Sequence, residues 1–440
     1  MKRRTISRGI LWLTALSMSL VSFAFSEEIS PVWKTSPKKM VLENGLTLIT
    51  ERDLSSRRTV VHVLIRGGKH AEPTGKEGLV YLTTRLAINI PDQGKIQDLM
   101  NQATRLNMDC NSDYSFINIS CLTENLEQSL KTTTDIMRDP LFSGLRINAI
   151  KRQMDRRHKA SEDDSIVVAH NSLFRIFFAG TPYGGSIYGS EDSLKAIKKK
   201  DIENYYKSHF IGPNMIVAVS TDMEEQAITN LITEFFIKFP TGTPPEIKPL
   251  TIAPPQEKVK TVERDTEQTF VSMAFPLDRI TPRNFLLASM LENYLGKGFS
   301  SLLWPLRTKQ KLAYIVDSRA NQMREGGFIE AYLETENTKK DIALEELARV
   351  LGDLYRTGLT EEELATAKIH TQADFLRNNE TRGVRLSSMG YFEAMGFGYD
   401  FINRYFKEIN ATTLEEMNAF IKDILDPEKA VKMLVGPKAL

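Results

Sequence analysis

Met40-Val41-Leu42-Glu43-Asn44-Gly45-Leu46-Thr47-Leu48-Ile49 reads as two short strands folded back on one another. Asn44-Gly45 suits the primed turns whose twist matches that of paired strands. Beyond it, Thr59 to Ile65 is a β-branched run suited to a sheet. Apolar spacing then becomes helical at Leu126, Leu130, Ile136 and Met137, with Pro140 marking the end. It does so again at Ile342, Leu347, Val350, Leu351 and Leu354, with Gly358 as C-terminal cap. Thr360 and Glu363 form a capping box at the start of the following helix. Strands paired by hairpins, with helices segregated between them, define an α+β fold with a mainly antiparallel sheet.

The chain divides near its middle. Phe239-Pro240-Thr241-Gly242-Thr243-Pro244-Pro245 continues to Pro249 and Pro254-Pro255, holding six of the chain's 18 prolines. Such a run cannot continue a helix or central strand and reads as an extended spacer over residues 240–256. The flanking pieces, 27–239 and 257–440, end alike. Asn204 to Pro213 precedes the strand-like Met215 to Val219, and Asn418 to Pro427 precedes Ala430 to Val435. Helix, proline turn and buried strand at matching offsets point to an internal duplication.

Lys2, Arg3, Arg4 and Arg8, followed by an apolar run from Gly9 to Phe25, read as a secretory signal over residues 1–26. Ala24 and Ser26 are small residues placed for cleavage before Glu27. The rival is an uncleaved anchor, for which the run is short against the ~20 residues of a span. The expectation is an exported protein, periplasmic rather than extracellular, with no membrane association after cleavage. A net charge of +1 argues against nucleic-acid binding. Cys110 and Cys121 fall on neighbouring strands of one hairpin turning near Asp113 and Tyr114. That register sets Cys110 opposite Phe116 to Ile117, so two free, half-buried thiols are expected, although an exported compartment permits a bond.

Gly67-Gly68-Lys69-His70-Ala71-Glu72-Pro73 leads through Gly78-Leu79-Val80 into Tyr81-Leu82-Thr83-Thr84-Arg85. This stretch resembles the pitrilysin/insulinase-type zinc metallopeptidases, in their processing-peptidase-like branch, where a glycine turn precedes a His-x-x-Glu-His helix. The resemblance spans nearly all the chain after the signal and implies two homologous domains, each a mainly antiparallel sheet backed by helices. It places Tyr81 and Arg85 where the two His ligands belong and Thr84 where the catalytic Glu belongs. The third ligand is a Glu on a later helix, before an acidic pair and a Pro-Tyr-Gly loop. Glu162-Asp163-Asp164 and Thr181-Pro182-Tyr183-Gly184 match those markers and put Arg157 at that position. No imidazole or carboxylate remains, and arginine brings a fixed positive charge. This chain is therefore expected to hold no metal and no cofactor of its own. Glu162 as a stray ligand would lack partners, and a metal shared by His158 and Glu162 is outweighed by a solvated helix face. His62 should point away from the face of Val61 and Val63, and His209 should pack at its helix end.

The second half keeps more of the pattern. Gly296, Gly298 and Ser300 lie in Leu295-Gly296-Lys297-Gly298-Phe299-Ser300-Ser301, which leads to Arg307 and, after six residues, Tyr314. The loop lacks the Gly-Lys-Ser/Thr ending of a phosphate cradle. It resembles the family's C-terminal substrate-binding segment, in which an Arg and a Tyr hold the peptide backbone and face the zinc site. Taken alone, Arg307 would be a solvated helix residue and Tyr314 a sheet-core aromatic. The resemblance implies a non-catalytic, peptide-binding subunit whose zinc comes from a homologous partner. Alternatives are a structural or scaffolding homologue with no role in proteolysis and, more remotely, a peptidase with an unrecognised metal site.

Overall fold

The computed structural model describes residues 36–90 and 92–437; the segment read as a secretory signal lies outside them. Among these residues, eleven strands form two sheets. The first contains β1 (Lys38–Val41), β2 (Thr47–Arg52), β3 (Arg58–Arg66), β4 (Arg105–Cys110), β5 (Tyr114–Leu122) and β6 (Met215–Thr221), in the order β1-β2-β6-β3-β5-β4. The second contains β7 (Val259–Glu263), β8 (Gln268–Leu277), β9 (Ile315–Met323), β10 (Gly326–Glu336) and β11 (Val431–Gly436), in the order β7-β11-β8-β10-β9.

Among the described residues, only β2 with β6 and β11 with β7 pair in parallel. The sheets are thus mainly antiparallel, as the hairpin pattern predicted. They also share a topology: the last strand of each half inserts between two strands consecutive in the chain, β6 between β2 and β3 and β11 between β7 and β8, parallel to the earlier and antiparallel to the later. This common insertion is the structural form of the repeat read at Asn204–Val219 and Asn418–Val435.

The helices of the first half are α1 (Leu79–Ala87), α2 (Gln93–Asn101), α3 (Leu126–Arg138), α4 (Gly144–Ser161), α5 (Ser165–Phe177), α6 (Glu191–Ala196), α7 (Lys199–His209) and α8 (Glu225–Phe236). Those of the second are α9 (Pro282–Gly296), α10 (Trp304–Thr308), α11 (Lys340–Thr357), α12 (Glu361–Asn378), α13 (Arg382–Met395), α14 (Phe401–Asn410) and α15 (Leu414–Ile424). The capping box at Thr360 and Glu363 is formed, and Gly358 ends α11 at φ 67°.

One helix from each half crosses to the other. Leu386, Met389 and Phe392 of α13 pack with Val60, Leu64, Ile216 and Ala218 of the first sheet. Val168, Leu173 and Phe177 of α5 pack with Phe270, Phe328 and Val431 of the second. Gly390 permits the first contact, because a Cβ there would come within 2.5 Å of Leu64 Cδ1. The exchange explains why His62, as expected, faces away from Val61 and Val63: its Nδ1 lies 2.9 Å from Ser387 Oγ on α13.

Two local expectations require correction. The first hairpin does not use a two-residue turn: Val41 pairs with Thr47, and Leu42 N–H donates to Leu46 O at 2.8 Å, closing a three-residue loop. Gly45 supplies φ 84°, while Asn44 turns inward and donates to the carbonyls of Phe236 and Phe239. Capping the end of α8 recruits the Asn that the turn alone would have claimed. Cys110 pairs with Ser115, one position from the expected register, because the chain reverses tightly through Asn111 to Asp113. Both thiols are free, and both are buried rather than half-buried.

Candidate functional site

Gly78 adopts φ 92° to start α1, and the Glu72 carboxylate accepts from Gly78 N–H and Val80 N–H, both at 3.0 Å. A carboxylate at a helix N-terminus satisfies donors that the helix itself leaves open. Every residue of α1 except Arg85 is buried. Tyr81 packs edge-on against Tyr188 at 5.0 Å, and its phenol accepts a hydrogen bond from Arg157 of α4. The guanidinium also lies over both rings, 5.9 Å from Tyr81 and 6.0 Å from Tyr188. Burial raises the Tyr81 phenol above its ordinary range, although Arg157 works in the opposite direction. One helical turn on, Thr84 is fully buried and donates to Ser115 Oγ at 3.1 Å.

Tyr81 and Arg157, matched to two ligand positions on different helices, are thus brought together. The match at Arg157 lands opposite α1, where a third ligand would have to stand. The group they form is a cation, an aromatic cluster and a protonated phenol, which does not fit a zinc ion. Thr84 offers no carboxylate to activate water. Among the described residues, no three His, Cys, Asp or Glu side chains gather as a metal-binding group. His158 and Glu162 stand 4.0 Å apart, and His158 Nδ1 lies 3.3 Å from Ser186 Oγ.

Sequence reasoning missed a buried polar cluster beneath this helix. Lys69 is buried, donates to Tyr183 O at 2.7 Å and lies 5.3 Å from the Phe174 ring centre. Burial brings its ammonium down to about 8. The Tyr183 hydroxyl donates to Asp113, whose other oxygen accepts from Arg324 N–H at 3.1 Å. Arg324 follows β9, so this cluster joins the two halves. Burial raises the Cys110 thiol well above its ordinary value, which makes it a poor nucleophile. The available signal was Lys69-x-x-Glu72 inside a glycine-rich loop; sequence cannot show that both side chains turn inward.

In the second half, Gly296 closes α9 against β9, and a Cβ there would lie 2.2 Å from Ser318 N. Gly298 has φ 87° and open space around it, and Ser300 Oγ lies 3.2 Å from His370 Nε2. Arg307 is exposed on α10 and stacks over Trp304 at 4.9 Å. Tyr314 is 54% exposed, so it is not a sheet-core aromatic; its N–H donates to Glu334 O at 3.0 Å, extending the β9–β10 pairing. Among the described residues, no hydrogen bond links the Arg307 guanidinium or Tyr314 hydroxyl to another group. Nor, among the described residues, does a hydrogen bond or ring contact join them to Tyr81, Thr84, Arg85 or Arg157.

Two related lobes, with the metal positions of one closed by an Arg–Tyr pair, define a peptidase-like architecture without its metal site. Residues 47–191 match the family described as insulinase (peptidase family M16), and residues 196–370 match the peptidase M16 inactive domain. The chain belongs to the M16 insulinase family. It is similar to the non-peptidase homolog YmxG of Helicobacter pylori, with 24% identity over 82% of this chain and 85% of that one. A peptidase M16 inactive domain from Pseudomonas fluorescens shares the fold at TM-score 0.83 and 18% identity, covering 92% of this chain and 98% of that one. A chain of Complex III2 from Candida albicans shares it at TM-score 0.77 and 16% identity, covering 91% and 95% respectively.

Proposed function

We propose that this chain is the non-catalytic, peptide-binding subunit of an exported, periplasmic heterodimeric zinc peptidase. A homologous partner supplies the zinc, its water and the carboxylate base; this chain supplies Arg307 and Tyr314 and closes the peptide cavity. One observation carries the reading: Arg307 and Tyr314 present uncommitted donors at the surface, while Tyr81 and Arg157 are bound to each other. A guanidinium donates in parallel to a carbonyl or carboxylate, and a phenol donates to an oxyanion. Gly296, Gly298 and Ser300 shape the loop that leads to this pair.

The test is peptidase activity of the native complex captured with this chain, comparing wild type with Tyr314→Phe, each with and without a zinc chelator. Chelator-sensitive activity should fall by ~10²–10³ in the variant while the complex stays intact. Activity indifferent to Tyr314, or no activity, would favour a scaffolding role. The stacking of Arg307 on Trp304 is the observation that supports that second reading.

A further inference from the structure

A cleft of ≈ 660 Å³ opens beside the proline-rich segment, at the far end of β9 and β10 from Tyr314. Glu325 sits in the turn between those strands, so the length of β9 places it roughly 30 Å from Tyr314. One wall is apolar, built from Phe177, Phe178, Leu277 and the extended chain at Leu250 and Ile252. The volume falls within the ~300–1,000 Å³ of ligand pockets.

Glu325 is the unusual group in this lining. It is only 5% exposed; Oε1 accepts from Arg279 at 3.1 Å, and Oε2 is buried without a hydrogen-bond partner. A buried carboxylate oxygen without a donor is costly, so the position favours a ligand that donates to it. Arg279 is 63% exposed at its side chain and can swing away. The cleft carries four carboxylates, Asp278, Glu325, Asp423 and Glu428, against three cations, Lys258, Arg279 and Lys429. Lys429 is paired with Asp423 at 2.7 Å, and Lys258 is held by the carbonyl of Glu428. The remaining balance favours a cationic ligand.

The wall also has backbone to offer. Among the described residues, no hydrogen bond is formed by the N–H groups of Leu250, Thr251, Ile252 or Ala253. An extended strip of unpaired amides can pair with another extended chain. We propose that this cleft binds a short extended peptide segment whose lysine or arginine side chain reaches Glu325. The binding requires neither a partner subunit nor Arg307 and Tyr314, so it stands or falls apart from the shared active site.

The test is calorimetric titration of the full chain with a pentapeptide blocked at both ends, carrying a central arginine flanked by valines. A peptide with glutamine in place of the arginine should bind roughly 10- to 100-fold more weakly. Glu325→Gln should erase that difference, and Ala253→Arg, on an exposed wall residue, should weaken the arginine peptide by a similar factor. Equal affinity of the two peptides, no binding of either, or a preference that survives in folded Glu325→Gln would overturn the proposal. If Glu325→Gln does not fold, unchanged binding to Ala253→Arg overturns it. Agmatine binding as tightly as the peptide would overturn the peptide assignment in favour of a small amine.

Discussion

Arg157 is the residue that the family resemblance matches to a carboxylate ligand, and its guanidinium is committed to the Tyr81 phenol. Removing the donor leaves a buried hydroxyl unsatisfied, so Arg157→Met should destabilise the chain by about 1–2 kcal/mol in chemical denaturation. Tyr81→His alone should recruit no zinc, because Arg157 would then face the new imidazole as a fixed cation. The triple variant Tyr81→His, Arg85→His, Arg157→Glu restores two imidazoles and a carboxylate across α1 and α4. Elemental analysis should find zinc equimolar with that variant and absent from the single one. Absence from both would mean that Arg157 is not the true third position. Residue identity made the loss of ligands legible in the sequence. The replacement of a metal site by an internal Arg–Tyr bond was not, because it depends on where α4 passes α1.

At the scale of elements, the two glycines after α9 do different work. At Gly296 the backbone of β9 stands where a Cβ would go, and no rotamer change can relieve that collision. Gly298 has open space but φ 87°, so a side chain there meets only conformational strain. Gly296→Ala should therefore cost about 2–4 kcal/mol and pull α9 from β9, whereas Gly298→Ala should cost about 1 kcal/mol. Thermal melts of the two variants would check the order; equal effects would contradict it. The glycines were legible as a loop, but the close approach at Gly296 was not, since it comes from Asp317 and Ser318, far along the chain. Periodicity read α3 and α11, since Leu126, Leu130 and Met137 face one core and Leu347, Leu351 and Leu354 another, but Ile342, counted in the same pattern, lies 54% exposed at the start of α11. It could not reveal that α5 and α13 exchange lobes. An amphipathic helix advertises an apolar face without naming the sheet that will cover it.

The exchange of α5 and α13 ties both halves of the described residues into one compact unit, and buried charge guards the seam. Asp53, just after β2, meets Arg382 and Arg385 of α13 at 3.2 Å and 2.8 Å. Burial alone would raise the Asp53 carboxyl, but hydrogen bonds from Ser55 and Arg382 and the charge of Arg382 outweigh it and hold it at about 2. On the same seam, the Ser387 hydroxyl donates to Gly383 O, so His62 Nδ1 is the donor in their contact and Nε2 is left as a buried acceptor without a partner. Burial brings His62 down to about 4. The two groups respond to acid in separate windows. An unfolded histidine takes up its proton near 6.5 and the folded one only near 4, so this contribution to stability falls as pH drops across that interval. The Asp53 contribution is present above the ordinary 3.8 and disappears as pH falls from there through about 2. Unfolding free energies of wild type and His62→Gln should thus converge or cross between pH 6.5 and 4, the histidine losing up to about 3 kcal/mol that glutamine does not. Asp53→Asn removes the carboxylate that Arg382 and Arg385 share, while Arg385 still faces Glu51 at 3.8 Å and Arg382 keeps its backbone carbonyls, and should cost about 1–3 kcal/mol at neutral pH. Its deficit against wild type should shrink only below pH 3.8. Parallel pH profiles for all three proteins would mean that the seam is held by apolar packing of α13 alone and that its charges are incidental.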